Sequence, residues 1–463
     1  MNITPELKSQ WNPKSTIFCL NVVFFALLLK FLPFEPQANK GLALLAFVAV
    51  LWLTEAVHVT ITAILVPILA IALGLVGTKD ALVAFADPTI FLFFGGFALA
   101  TALHIQKLDS LIANRIMALA RGNLFVAVLY LFGVTAFLSM WISNTATAAM
   151  MLPLAMGVLS KLDREREHNT YTFVLLGIAY SASIGGMGTL VGSPPNAIVA
   201  SQLHLTFADW LWYGLPIMFL LMPLMIGILY VIFKPRLNIH FEQNFEKIEM
   251  NAARWKTLGI FLFVALCWIF SSQLNPMISG LFGLTKKIGS FDSIVALVAA
   301  ALIAIAGVAS WKQIQDNTEW GVLMLFGGGL TLSSVLKNSG ASQIMADGIV
   351  FLIEGGHFYM IGLIVAAFII FLTEFTSNTA SAALLVPIFI TIAQTLGMPE
   401  IGLALIIGLG ASCAFMLPVA TPPNAIVFGT GAIKQRDMIK AGVVLNLICV
   451  FVIATFGYMF WFN

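Results

Sequence analysis

Two stretches decide how this chain folds: SNTATAAMMLP at residues 143–153 and SNTASAALLVP at residues 377–387. Seven of their eleven positions are identical. Each lies within a long apolar run, where a Ser-Asn-Thr cluster is costly unless its polar groups find partners. Around them, 60% of the 463 residues are apolar, 10% are charged, and the mean hydropathy is +0.99. A soluble domain carries about 25% charged residues. Runs of about 20 apolar residues, the length that crosses a hydrocarbon core of about 30 Å, recur along the whole chain. The sequence therefore predicts an all-α polytopic membrane protein.

Crossing helices are expected near residues 15–34, 41–57, 60–77, 88–104, 171–202, 210–233, 257–274, 291–310, 318–336, 401–432 and 440–462. That makes about 11 transmembrane helices. The two SNT segments, near 124–160 and 357–396, read as re-entrant hairpins that enter and leave on one side. The first apolar run, Thr16 to Phe34, follows Lys8 and Lys14 but is long for a signal peptide and offers no small-residue cleavage site. It is expected to stay as the first helix. With the N-terminus cytoplasmic and the C-terminus outside, 17 of the 23 Lys and Arg fall on cytoplasmic segments. This is the positive-inside bias. The expected location is a bacterial inner membrane.

The chain repeats itself. FLFFGGFALATAL (91–103) resembles LMLFGGGLTLSSVL (323–336), and GSPPNAIV (192–199) matches ATPPNAIV (420–427). The three matched blocks keep their order at offsets of 232, 234 and 228 residues. Five crossings separate the two SNT motifs, so the second copy is expected upside down relative to the first. Inverted repeats with broken helices at corresponding places mark secondary transporters. Residues 1–123 and 257–356 then precede the hairpins of the two halves, and 124–233 and 357–463 hold the hairpins, the broken helices and the helices that follow. The polar stretch 234–256 reads as a cytoplasmic linker with an amphipathic surface helix.

Ser, Asn and Thr at a hairpin tip suit the start of the returning arm, because their oxygens accept from its first amides. A helix start also carries partial positive charge and unused donors, which suits an anion. Alternatively, such residues only back-bond within a helix and aid packing. Repetition at matched positions favours the site. Two prolines in SPPN and TPPN break a helix and restart it, with Ser193 or Thr421 as the cap and Pro194 or Pro422 as the first helical residue. The carbonyls freed from Leu190 to Gly192 and from Pro418 to Ala420 then need partners. Hard cations such as sodium take oxygen ligands of this kind. Glu55 and Glu374 are acidic residues in or near the membrane, with orienting, packing and proton-coupling roles all open.

Other chemistry lacks a motif. The cysteines at 19, 267, 413 and 449 are scattered, and the six histidines show no metal-ligand spacing. There is no phosphate-binding GxxxxGK[ST], no HExxH and no GxSxG. No catalytic residue is nominated, no organic cofactor is called for, and nothing suggests nucleic acid.

From TEA (54–56) through both SNT and both PPN motifs, the sequence resembles the divalent anion/sodium symporter family. The likeness is to its bacterial INDY-type dicarboxylate transporters. The resemblance implies a homodimer in which 1–123 and 257–356 are scaffold and 124–233 and 357–463 moving transport elements. It implies elevator-type alternating access, and uptake of a di- or tricarboxylate, or in some members sulfate, with sodium. It implies that substrate meets Ser143, Asn144, Thr145, Ser193 and Pro194 at one end, and Ser377, Asn378, Thr379, Thr421 and Pro422 at the other. One sodium ion is implied at Ser139, Ser143, Asn144 and Gly192, and another at Thr373, Thr376, Asn378 and Ala420. Both motifs read SNT in full, which is similar to the dicarboxylate branch, whose substrates include succinate, malate and fumarate. A sodium-independent exchanger, a citrate or sulfate symporter and an anion channel stand as alternatives. An intramembrane enzyme would need a nucleophile and base that the sequence does not offer.

Overall fold

The structure is a computed structural model that describes residues 13–160, 162–239, 247–353 and 357–462. Among the described residues every regular element is helical. Among the described residues nine helices are long and apolar enough to cross a membrane, and six shorter apolar helices accompany them. The protein is thus an all-α polytopic membrane protein.

Proline and capping residues set many of the helix starts. Pro36, Pro88, Pro194 and Pro422 each stand in the first turn of a helix, where the missing N–H is not needed. Thr206 and Asp209 form a capping box at the head of Phe207–Phe233. Several short helices were not expected from the sequence, among them Leu108–Ala118, Ser271–Leu281 and Ala341–Ile353. They are short or carry polar residues, so hydropathy alone passes over them. Of the linker 234–256, residues 234–239 and 247–251 are irregular and 252–256 open the helix Ala252–Ile269, while 240–246, where a surface helix was expected, lie outside the described residues. Lys8, Lys161 and the linker's Glu246 lie outside the described residues.

The repeat governs packing. Helix Pro88–Ile105 packs on Phe291–Ile305, and its counterpart Trp320–Asn338 packs on Val59–Ala72. Glycines permit these close crossings. A Cβ on Gly95 would stand 2.4 Å from the Ala296 carbonyl, and one on Gly328 would stand 2.5 Å from that of Ala63.

The hairpins are Leu124–Ser139 with Asn144–Leu159, and Phe358–Leu372 with Asn378–Thr395. Each returning arm contains one proline at the same repeat position, Pro153 or Pro387. The broken helices are His168–Gly185 followed by Pro194–Leu203, and Glu400–Gly410 followed by Pro422–Phe428. Every residue from Thr170 to Gly185, and from Gly402 to Gly410, is buried. These two helices have no lipid-facing side and form the centre. The half-helix Pro194–Leu203 packs against the second hairpin's returning arm, and Pro422–Phe428 packs against that of the first. Each repeat therefore lends its half-helix to the hairpin of the other.

The glycine crossings give the first prediction. Gly95→Ala or Gly328→Ala forces two backbones apart, and overpacking of this kind costs ~1–3 kcal/mol. A lowered thermal midpoint in detergent is expected for both; unchanged midpoints would mean that the helices do not cross this closely.

Candidate functional site

The tips of both hairpins and both proline turns line one cavity of about 520 Å³. Ser143, Asn144, Thr145, Ser193 and Pro194 face it from one repeat, and Ser377, Asn378, Thr379, Thr421 and Pro422 from the other. Gly192, Thr376 and Ala420 line it as well, whereas Ser139 and Thr373 are fully buried behind the tips. The structure therefore brings all ten residues nominated for substrate together in one space.

Each tip is built in the same way. Ser143 Oγ accepts from the amide of Ala146 at 3.3 Å, and Ser377 Oγ accepts from that of Ala380 at 3.4 Å. The preceding amides of each returning arm are left for a ligand by the geometry of a helix start. Ser139 Oγ spans Asn144 Oδ1 at 2.6 Å and the Ala182 carbonyl at 2.7 Å. Thr373 Oγ1 does the same for Asn378 Oδ1 and the Ala411 carbonyl. A hydroxyl has one proton, so it serves these two acceptors by turns and ties each tip to the end of a central helix. Thr376 Oγ1 donates to the Leu372 carbonyl at 3.0 Å and lies 2.8 Å from Ser381 Oγ.

The breaks use residues that the sequence reading did not nominate. Asn196 Nδ2 donates to the carbonyls of Gly186 at 2.8 Å and Thr189 at 2.7 Å. Asn424 Nδ2 donates to Ala414 and Leu417, both at 3.0 Å. The offset is 228 residues throughout, so the PPN asparagine is a clamp across each break. It stands three residues into the matched motif, and a count of lost backbone donors could have pointed to it. Thr421 caps its half-helix by accepting from the Asn424 amide at 3.3 Å, but Ser193 makes no such bond. Ser193 does hold the expected N-cap position, but its hydroxyl lies 3.4 Å from Ser412 Oγ instead of bonding the helix start. The carbonyls that find clamps are also those of Gly186 and Thr189, upstream of or at the edge of the expected 190–192 stretch.

Around Gly186 several oxygens gather. A Cβ there would stand 2.4 Å from Asn144 Oδ1 and 3.0 Å from the Gly192 carbonyl. One on Gly192 would meet the carbonyls of Gly186 at 2.6 Å and Ser139 at 3.0 Å. Glycine at both places lets hard oxygen donors converge, which suits a small cation.

Charge at the cavity is one-sided. Glu55, Glu319 and Glu374 line it, and among the described residues no Lys, Arg or His does. Glu374 is fully buried. Its carboxylate accepts from the amides of Met416 at 2.8 Å and Leu417 at 3.1 Å, and from Asn446 Nδ2 at 2.7 Å. At the matching position the first repeat has Met140, whose carbonyl accepts from Thr189 Oγ1. The second break is held by a carboxylate and the first by a hydroxyl.

Comparison with known proteins gives the lineage. A family model described as the sodium:sulfate symporter transmembrane region matches residues 10–463. An uncharacterized transporter of Haemophilus influenzae is 78% identical over 445 residues, covering 96% of both chains. The sodium-dependent dicarboxylate transporter SdcS of Staphylococcus saprophyticus is 30% identical, over 94% of this chain and 89% of its own. The crystal structure of the Alcanivorax borkumensis YdaH transporter shares the fold. Its TM-score is 0.58 at 14% identity, over 83% of this chain and 88% of that one. The chain belongs to the sodium:sulfate symporter family and is an integral membrane transporter.

Removing a clamp should loosen a break. Asn196→Ala or Asn424→Ala leaves two buried carbonyls unpaired, at ~1–3 kcal/mol for each group. A fall in thermal midpoint is expected in both variants by thermal-shift assay; a midpoint equal to that of the parent would show that water or another donor serves these carbonyls.

Proposed function

We propose that this member of the sodium:sulfate symporter family carries a C4-dicarboxylate such as succinate, malate or fumarate, coupled to sodium. The observation that carries the reading is the cavity itself. It joins two repeat-related sets of hydroxyls, amides and helix starts, yet among the described residues its ionisable side chains are all acidic. A dianion with a carboxylate at each end matches two such half-sites. In a cavity with three glutamates it needs positive charge from elsewhere, and bound sodium supplies it. Cation and anion then stabilise each other's binding, which is the physical content of symport. The name of the SdcS relative agrees with both parts of this reading.

In this reading Ser143, Asn144, Thr145, Ser193 and Pro194 hold one carboxylate. Ser377, Asn378, Thr379, Thr421 and Pro422 hold the other. One sodium ion takes oxygens from Ser139, Ser143, Asn144 and Gly192, and the other from Thr373, Thr376, Asn378 and Ala420. The exchange of half-helices between repeats favours 124–233 and 357–463 moving as one body against 1–123 and 257–356. That is an elevator carried by a homodimer in an inner membrane, with the N-terminus cytoplasmic.

Two experiments test it. Labelled succinate should enter proteoliposomes only with an inward sodium gradient; entry indifferent to sodium but dependent on internal dicarboxylate would make the protein an exchanger. Asn144→Ala and Asn378→Ala should each reduce uptake at least 100-fold while the protein elutes as a folded species, since each removes a tip. Normal uptake by either variant sinks the paired-site reading.

A further inference from the structure

A second cavity, of about 720 Å³, lies apart from the site described above. Only a thin partition divides the two. Leu92 and Leu190 line the second cavity, while their chain neighbours Phe93 and Val191 line the first. The repeat relates the two cavities further. Glu55 and Lys287 are 232 residues apart, and each stands four residues before its helix, at Val59 or Phe291. Asp87 and Glu319 share the same offset, and each directly precedes its helix, at Pro88 or Trp320. Glu55 and Glu319 line the first cavity, and Lys287 and Asp87 the second. Two residues on the second cavity, Asp87 and Lys287, are therefore the repeat counterparts of Glu319 and Glu55 on the first, as rim residues of access paths on opposite faces would be.

The two mouths differ in charge. Around the second cavity every carboxylate is tied to a helix start. Asp87 accepts from the Thr89 amide at 2.8 Å, Asp209 from that of Thr206 at 2.9 Å, and Asp292 from that of Phe207 at 2.7 Å. The partial positive charge of a helix N-terminus offsets part of each. The exposed Lys287 is the one Lys or Arg on either lining among the described residues, with His204 the other basic group. In the first mouth Glu55 closes the C-terminal end of its helix, at φ 47°, where the dipole adds negative potential. Glu319 makes no side-chain bond to the helix it precedes.

We propose that Lys287 captures the anion at the face of the second cavity, while Glu55 and Glu319 repel anions and draw cations at the other face. The two directions of transport then have unequal apparent affinities. This rests on the dicarboxylate transport reading above. One ammonium and a dianion about 10 Å apart in water give roughly a fourfold effect on encounter affinity.

The test is labelled succinate uptake at fixed sodium in intact cells and in inverted membrane vesicles, which present opposite faces. Lys287→Gln should raise KM about fourfold in one preparation only, and Lys287→Arg should restore it. The difference should shrink when choline chloride takes the ionic strength from about 0.01 M to 0.5 M, because the Debye length falls from about 30 Å to a few ångströms. The double variant Glu55→Gln, Glu319→Gln should lower KM in the other preparation. An unaltered KM in Lys287→Gln at low salt, an equal change from both faces, or failure of arginine to restore it each overturns the assignment of Lys287. Absence of uptake by the unaltered protein in both preparations would instead overturn the dicarboxylate reading, and the capture role with it.

Discussion

A helix that breaks inside a membrane exposes amides and carbonyls that lipid cannot satisfy, and this constraint shapes the whole structure. The protein meets it twice with one device. Asn196 and Asn424 each place both amide protons on carbonyls across the break. The two prolines ahead of each asparagine remove donors that would otherwise need partners. With the break satisfied internally, the half-helix starts and hairpin tips keep unused donors, and these face the shared cavity. Irregular backbone thus becomes a place where a polar solute can be held without any cationic side chain.

The two half-sites are alike in frame but not in charge. At the first break Thr189 ties the turn to the Met140 carbonyl; at the second, the buried carboxylate of Glu374 holds two amides and Asn446. A buried carboxylate with only neutral donors is expensive, because its field has no opposite charge close by. Among the described residues it forms no salt bridge. A cation bound at the adjoining tip would relieve that field, so the second half-site has a stronger electrostatic reason to take one than the first.

Much of this was legible in the sequence. Apolar runs gave the class and most of the crossings, and the offsets between matched blocks gave the repeat. The Ser-Asn-Thr tips could be read because a polar triplet in an apolar run has few physical explanations. What escaped was what depends on distant pairing. The clamp by Asn196 shows itself only when the Gly186 carbonyl is seen beside it. The role of Ser193 turned on Ser412, which comes from the other repeat. The helix at 341–353 escaped because its mixed polarity matches neither a span nor a loop. The second cavity escaped too, since its walls are gathered from residues 87 to 293.

An inverted duplication begins with two faces that are equivalent by construction. Any difference between them must come from later divergence at matched positions. Ser139 and Thr373 diverge in size alone and keep the same hydrogen bonds. Glu55 and Lys287 diverge in sign. A sign change at a rim alters the long-range field without touching the packed tips or the clamps, because potential extends over about 10 Å while packing contacts end within 4 Å. Direction can thus be tuned at the mouths while the tips and the asparagine clamps, where both repeats must fit each other, keep their matched hydrogen bonds.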